Sequence, residues 1–346
     1  MRFRSETAKR PVPDFGRLGA ETRMGRGIRS LGLILAVSLA LTAVAVPVAL
    51  AAEYPTKPIR LVVPFAPGGL NDVTGRILAE YLEQELGQRI VVVNIEGAGG
   101  VIGSQEVLKA APDGYTLLWH HHSLLTANIM GTAPFTWDAF TPVASVVQTG
   151  CTLVVRKDAP WKTLQNLLKD ARSRPGQIRY GVNLGTMSHF GGLSHGLAAG
   201  VSFAYVGGGG DNVRIAQLLR GDIDVACSGG LTVDYVRSGE LQALAYMSDT
   251  RSPALPDVPT GIEQGLSSTE VFTLVIFGPK GLPQEVVSRL NDAVARIVED
   301  PGFVSRMHQQ NLVPFYLPAG KLVEYLAAEQ ARLEEIARKS RIGRYR

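Results

Sequence analysis

The stretch from Ile59 to Leu86 places the tightest constraint on how this chain can fold. Leu61, Val62 and Val63 form a short apolar run rich in β-branched residues, which suits a strand buried on both faces in a parallel sheet. Pro64 and Pro67-Gly68-Gly69 end that strand, and Asn71 or Asp72 can cap a following helix. Val73, Ile77, Leu78, Tyr81, Leu82 and Leu86 then recur at helical spacing. A strand, a glycine loop and a helix N-terminus in succession leave unpaired N–H groups at the positive end of the helix dipole. The glycines let a guest reach the backbone. An anion, most simply a carboxylate, is the natural guest. A tight turn that binds nothing is the other reading of a Gly-Gly pair.

The rest of the chain repeats this alternation. Strands are predicted at Ile90–Asn94, Tyr115–Trp119, Ile178–Gly181, Ser202–Val206, Ile223–Cys227, Leu241–Met247 and Phe272–Phe277, and a longer β-like stretch from Val143 to Val155 can cross between domains. Helices are predicted at Val101–Ala111, Trp161–Arg172, Val213–Arg220, Glu285–Val298 and Gly320–Arg338. Strands alternating with helices imply an α/β fold with mostly parallel sheets. Glycine loops follow the strands after 63, 94, 181, 206 and 227, the edge where open α/β sheets bind ligands. Gly207 to Gly210 lacks GxGxxG spacing and no Walker A sequence occurs, so a nucleotide is disfavoured against a small carboxylate.

The first fifty-one residues read as an export leader. Arg23, Arg26 and Arg29 precede an apolar run from Leu31 to Val46, and Ala49-Leu50-Ala51 supplies small residues for cleavage near Ala51. Met24 is the expected true start. The leader also distorts the charge: the whole chain carries 35 Lys+Arg against 31 Asp+Glu, net +4, of which 8 and 3 fall in 1–51. The remainder therefore holds 27 against 28, net −1, and the basic balance says nothing about nucleic acid. The remaining 295 residues are enough for two domains. Cys151 and Cys227 can pair in an exported chain, but both lie in apolar strand-like runs where buried free thiols fit equally. They lack CxxC spacing.

Two features invite an enzymatic reading. His120, His121 and His122 suggest a metal, since His120 and His122 would share a face on a strand and His189 or His195 could join them. No HExxH or comparable spacing accompanies them, and no neighbour is a carboxylate. The expectation is instead that one histidine points into a cleft as a donor while another packs below it. Ser188-His189, and Ser123 beside histidines, suggest a hydrolase, but no GxSxG elbow occurs and a hydroxyl at a helix start is more economically a cap. Asp211 either caps a helix or pairs with a cationic group on a ligand, and Asp72 poses the same choice.

Tyr54-Pro55, Lys57-Pro58-Ile59-Arg60 and Leu61-Val-Val-Pro-Phe-Ala-Pro-Gly-Gly69, closed by Asp72, resemble the opening of mature Bug-type receptors, the periplasmic solute-binding proteins of tripartite tricarboxylate transporters. Gly97-Ala-Gly-Gly100 with Gly103, followed by Ala110-Ala-Pro-Asp-Gly-Tyr-Thr-Leu-Leu118, is similar to the family's second block. Pro175-Gly176, Tyr180-Gly181, Gly185-Thr186 and Ser188-His189 are similar to its third. The resemblance runs from Tyr54 to the C-terminus. It implies a two-lobed type II periplasmic binding protein, a Venus flytrap, with lobe 1 from 52–147 plus 248–346 and lobe 2 from 148–247.

Carried over by position, Phe65, Ala66, Gly68, Gly69 and Asp72 would hold one carboxylate, and Gly185, Thr186, Ser188 and His189 the other. His122 and Ser123 fall in a further cleft loop. Tyr205 and Gly207, with Asp211 beyond, fall where the family shows Tyr-Lys-Gly; here the lysine is Val206. The implied protein is a periplasmic, monomeric receptor without catalytic residues, metal or cofactor, passing a mono- or dicarboxylate to a membrane permease and binding no nucleic acid. A sensory receptor for a membrane kinase, or a secreted metal-dependent hydrolase, would be the alternatives.

Overall fold

A computed structural model describes residues 54–346; the leader, its apolar run and its cleavage site lie outside the described residues. The chain opens with β1 (Ile59–Val63), α1 (Leu70–Leu86), β2 (Ile90–Asn94), α2 (Val101–Leu108), β3 (Thr116–His121) and α3 (Ser123–Ile129). β4 (Phe140–Gly150) then runs into β5 (Thr152–Arg156) with Cys151 alone between them. Next come α4 (Leu164–Ser173), β6 (Arg179–Val182), α5 (Met187–Ala199), β7 (Ala204–Gly207), α6 (Asp211–Arg220), β8 (Val225–Ser228), α7 (Thr232–Arg237) and β9 (Leu241–Tyr246). The chain ends with β10 (Val271–Pro279), α8 (Gln284–Ile297), α9 (Pro301–Gln309), β11 (Val313–Pro318) and α10 (Ala319–Ser340).

The strands form two sheets, ordered β11-β4-β10-β3-β1-β2 and β7-β6-β8-β5-β9. Both are mixed. β1 pairs in parallel with β2 and β3, and β6 with β7 and β8, because a helix returns the chain between each pair. The antiparallel ladders belong to the strands that carry the chain between sheets. β10 lies between β3 and β4, and β5 between β8 and β9. The stretch expected to cross, Val143 to Val155, passes from the first sheet to the second at Cys151.

The apolar run of β1 is buried on both faces, as its composition demands. Leu61 and Val63 pack with Ile77, Leu78 and Leu82 of α1, while Val62 joins Leu322 and Leu326 of α10 on the other face. Each such side chain stabilises the fold by about 1.5–3 kcal/mol. α1 lies close to β3: a Cβ on Gly75 would stand 3.0 Å from Trp119 Cδ1 and 3.2 Å from Val63 Cγ2, so only glycine allows this approach without displacement. The second sheet has its own core of Leu153, Leu167, Tyr180 and Val225, and a further cluster joins α3, α5 and α10 through Leu125, Phe190 and Leu333. Cys151 and Cys227 form a disulfide between the start of β5 and β8, which decides the alternative left open by their sequence context. Among the described residues no helix is long and apolar enough to cross a membrane.

Candidate functional site

The loop from Phe65 to Gly69 leaves β1 exposed to solvent and enters α1, whose N-terminal residue Gly69 offers no side-chain cap. Gly68 has φ +78°, a left-handed backbone that glycine adopts at little cost. Asp72 faces this loop from the first turn of α1. Its carboxylate accepts from Gly68 N at 2.8 Å and Asn94 Nδ2 at 3.0 Å, and pairs with Arg76 at 2.9 Å. Burial raises its pKa, and the hydrogen bonds from Arg76, Gly68 and Asn94 outweigh that and hold it below the usual carboxylate value. Asp72 therefore neither caps α1 nor stands free for a ligand cation. It fixes the loop whose backbone is left open.

The second glycine loop is built in the same way. α5 begins after Thr186, which makes no side-chain cap bond. Thr186 Oγ1 instead donates to Asn183 O at 2.8 Å, and Ser188 Oγ accepts from Asn183 N at 2.9 Å, so both hydroxyls are spent on bracing the turn. His189 is 8 % exposed, and its Nδ1 accepts from Gly185 N at 3.3 Å, which assigns the ring proton to Nε2. Burial lowers the His189 pKa, so the ring is a neutral donor at neutral pH. The bond from Gly185 identifies Nε2 as the nitrogen that carries the ring N–H.

Two other predicted residues, Tyr205 and Asp211, turn inward. Tyr205, placed among the ligand-binding positions by the resemblance, donates its hydroxyl to Gly192 O at 2.9 Å, while its ring packs edge-on against His189. Asp211 neither caps α6, where Gly210 is the N-terminal residue, nor stands free. It pairs with the buried Arg214 and accepts from Gly229 N at 2.8 Å, tying the loop after β7 to the loop after β8. Gly207 ends β7 exposed, with Leu184 across from it: a Cβ on Gly207 would stand 3.2 Å from Leu184 Cδ1.

The histidine run is corrected in detail. β3 ends at His121, so His120 and His122 are not strand neighbours on one face. His122 is 1 % exposed and accepts from Thr273 N through Nδ1 at 3.3 Å, so it packs inside rather than opening to a cleft. His120 is equally buried and hydrogen-bonds the carbonyl of His121. His121, absent from the predicted set, is the half-buried one. Its ring stacks on Phe65 with centroids 5.0 Å apart and planes 18° apart, and meets Phe272 edge-on at 5.9 Å. Burial pulls all three histidines below their ordinary pKa. Their Nδ1 atoms bond three different backbone groups, so the rings do not converge on one point. Ser123, 7 % exposed, begins α3 and donates its N–H to His121 Nδ1 at 3.2 Å. Among the described residues, the one trio of potential metal ligands is Cys151, Cys227 and Glu270, and its two sulfurs are already bonded to each other.

Two loops of the second sheet approach residues just beyond α3 and α9. A Cβ on Gly185 would stand 3.5 Å from Met130 Cγ beyond α3, and one on Gly230 would stand 3.3 Å from Gln310 O.

The sequence profile of the tripartite tricarboxylate transporter family receptor matches residues 74–342. The chain belongs to that family. BugT of Bordetella pertussis is 30% identical over 314 residues, 89% of this chain and 96% of that protein. The solved periplasmic binding protein BugD is 30% identical with a TM-score of 0.71, covering 84% of this chain and 99% of its own. A protein of Rhodopseudomonas palustris solved with adipate is 27% identical with a TM-score of 0.74, over 84% and 99% respectively. The fold is that of these periplasmic binding proteins, and the family is one of solute-binding receptors rather than enzymes. Sequence reasoning missed His121, Phe272 and the loop-bracing Asn94. The three-histidine run and the Asn94 that precedes the second glycine loop were the available signals.

Proposed function

We propose that this receptor captures a small mono- or dicarboxylate in the periplasm and passes it to a membrane permease of the tripartite tricarboxylate type. The observation that carries the reading is the pair of uncapped helix N-termini, α1 and α5, each held open by the polar side chains of its own loop. Backbone N–H groups at such termini favour an anion, and His189 Nε2 adds a neutral donor. The two sheets with their helices act as lobes, 52–147 with 248–346 and 148–247, that close around the ligand as a monomeric unit. The passages at Cys151 and between β9 and β10 serve as the hinge. The adipate-bound relative supports a carboxylate guest. The disulfide suits the oxidising compartment to which the leader would direct the chain. A ligand that binds only the folded form must raise its melting temperature. A thermal-shift panel of carboxylates, amino acids and sugars is expected to give shifts for carboxylates alone. A panel in which no carboxylate shifts the transition would reject the reading.

A further inference from the structure

Phe65, His121 and Phe272 form a continuous aromatic wall where β1 and β3 end and β10 begins. The Phe65 and His121 rings are nearly parallel, His120 meets Phe65 edge-on at 5.1 Å, and Phe65, His121 and Phe272 each remain partly exposed. His121 Nδ1 accepts from Ser123 N, and burial holds the ring neutral, so this wall presents aromatic surface rather than charge.

The loops after β6 and β8 present apolar side chains as well. Leu184 is 58 % exposed and Leu231 54 %, large values for leucines on loops that approach Met130 and Gln310 at either side. An exposed apolar surface next to a binding loop marks where an apolar part of a partner sits. Charge points the same way. The loops 64–72, 94–100, 121–123, 183–189, 207–211 and 228–231 contain no Lys or Arg, while they do contain Asp72, Glu96 and Asp211. Arg76 and Arg214, on the helices that follow two of these loops, are engaged by Asp72 and Asp211. One carboxylate can be met by backbone and His189, but a second would find no unpaired cation on these loops.

We infer that the ligand is an aromatic monocarboxylate, its flat ring lying against Phe65, His121 and Phe272 and its single carboxylate at a helix N-terminus. Offset and edge-on ring contacts favour a planar partner over a flexible chain of equal size. The inference rests on the carboxylate reading above and narrows it.

Calorimetry with benzoate, cyclohexanecarboxylate and adipate on the purified protein separates the two. Benzoate is expected to bind at least about tenfold tighter than adipate and several-fold tighter than cyclohexanecarboxylate. His121→Ala, and Phe272→Leu as an independent variant, are expected to reduce the benzoate-to-adipate ratio, with melting temperature confirming that each variant is folded. Adipate binding without benzoate binding overturns the aromatic inference and leaves the carboxylate reading standing. Equal affinity for benzoate and cyclohexanecarboxylate overturns the ring-stacking part. Failure of all three acids to bind overturns the aromatic inference, and the carboxylate panel above then decides the carboxylate reading.

Discussion

His195 Nε2 stands 3.9 Å from Oε2 of Glu270, and neither atom has a hydrogen-bond partner among the described residues. The carboxyl fits here because residue 191 is glycine: a Cβ on Gly191 would fall 1.9 Å from Oε2. Glu270 sits where the chain returns to the first sheet; its carbonyl accepts from Cys151 N and its N–H donates to Met247 O. The groups around it are His195 of α5, linked through Nδ1 to Tyr180 at 3.0 Å, Arg214 and Asp211 of α6, Arg332 of α10, and the disulfide. Burial is the dominant influence on both partners. It raises the Glu270 pKa well above the usual carboxylate value and lowers that of His195 to about 3. The contact is therefore between a carboxylic acid and a neutral imidazole.

That assignment predicts how stability follows pH. A carboxyl with a raised folded pKa contributes stability that is fully present below its unfolded value of 4.5 and is lost as pH rises through the folded value. Glu270→Gln keeps the shape and cannot ionise. Relative to the native chain, it should gain melting temperature as pH rises from 4.5 to 8, by about 2 °C for each kcal/mol of relieved penalty. His195 works in the opposite sense: its contribution is present above 6.5 and is lost as pH falls toward 3. Scanning fluorimetry across that range checks both limbs, and a Glu270→Gln difference that does not change with pH would contradict the assignment.

The disulfide makes a second prediction. Cys151 and Cys227 are each 1 % exposed and 76 residues apart, so the bond closes a long loop in the unfolded chain. Chain-entropy reasoning assigns such a closure about 4 kcal/mol. The double variant Cys151→Ser with Cys227→Ser should unfold at lower denaturant with that loss, while still raising its melting temperature on adding ligand. Equal denaturation midpoints for the two proteins would mean that the covalent link adds nothing.

The alternation of strands and helices was legible because buried parallel strands read as apolar runs and each is closed by glycine. Ile90–Asn94 coincides with β2, and Glu285–Val298 differs from α8 by one residue at each end. β11 was not legible: Val313–Pro318 contains two prolines, which suit only the edge position it occupies in the first sheet. α7 and α9 are short helices with little periodicity to detect. At the site, sequence placed the glycine loops but not the use of their polar side chains. Whether Asp72 caps a helix, meets a ligand or braces a loop depends on Asn94, 22 residues away, and on a turn geometry that no local pattern encodes. The lone acid of Glu270, opening an apolar strand, was the one available sign of the buried pair.

Two substitutions in the first loop separate bracing from binding. Asp72→Ala removes the acceptor for Gly68 N and Asn94 Nδ2 and leaves Arg76 unpaired from it. It should cost about 1.5–3 kcal/mol of stability and also weaken ligand binding. Gly69→Val acts differently. Gly69 has an extended φ of −80°, and an added Cβ meets only Ala66 O, at 3.5 Å, so the fold tolerates it. It should retain its melting temperature and lose affinity, because the branched side chain blocks the approach to the backbone. Normal affinity for carboxylates in Gly69→Val would make the loop a turn and nothing more.

The final prediction concerns ligand charge. His189 Nδ1 accepts from the loop's own Gly185 N–H, so Nε2–H is the ring's one donor. Val206, in place of the lysine that related receptors are expected to carry, packs beside Val154 and Ile215 and brings no charge to the cleft. Affinity should therefore fall as carboxylates are added, with citrate binding worse than monocarboxylates or dicarboxylates. His189→Ala removes a hydrogen bond to a charged group and should cost about 1.5–3 kcal/mol in calorimetry, roughly a ten- to hundredfold weaker Kd. Because burial keeps the ring neutral, wild-type affinity should stay flat between pH 6.5 and 8.5. A citrate complex tighter than the dicarboxylate complex would refute the charge argument. Unaltered affinity in His189→Ala would remove that residue from the site, and a steep loss of affinity above pH 6.5 would mean that the imidazolium, not the neutral ring, meets the carboxylate.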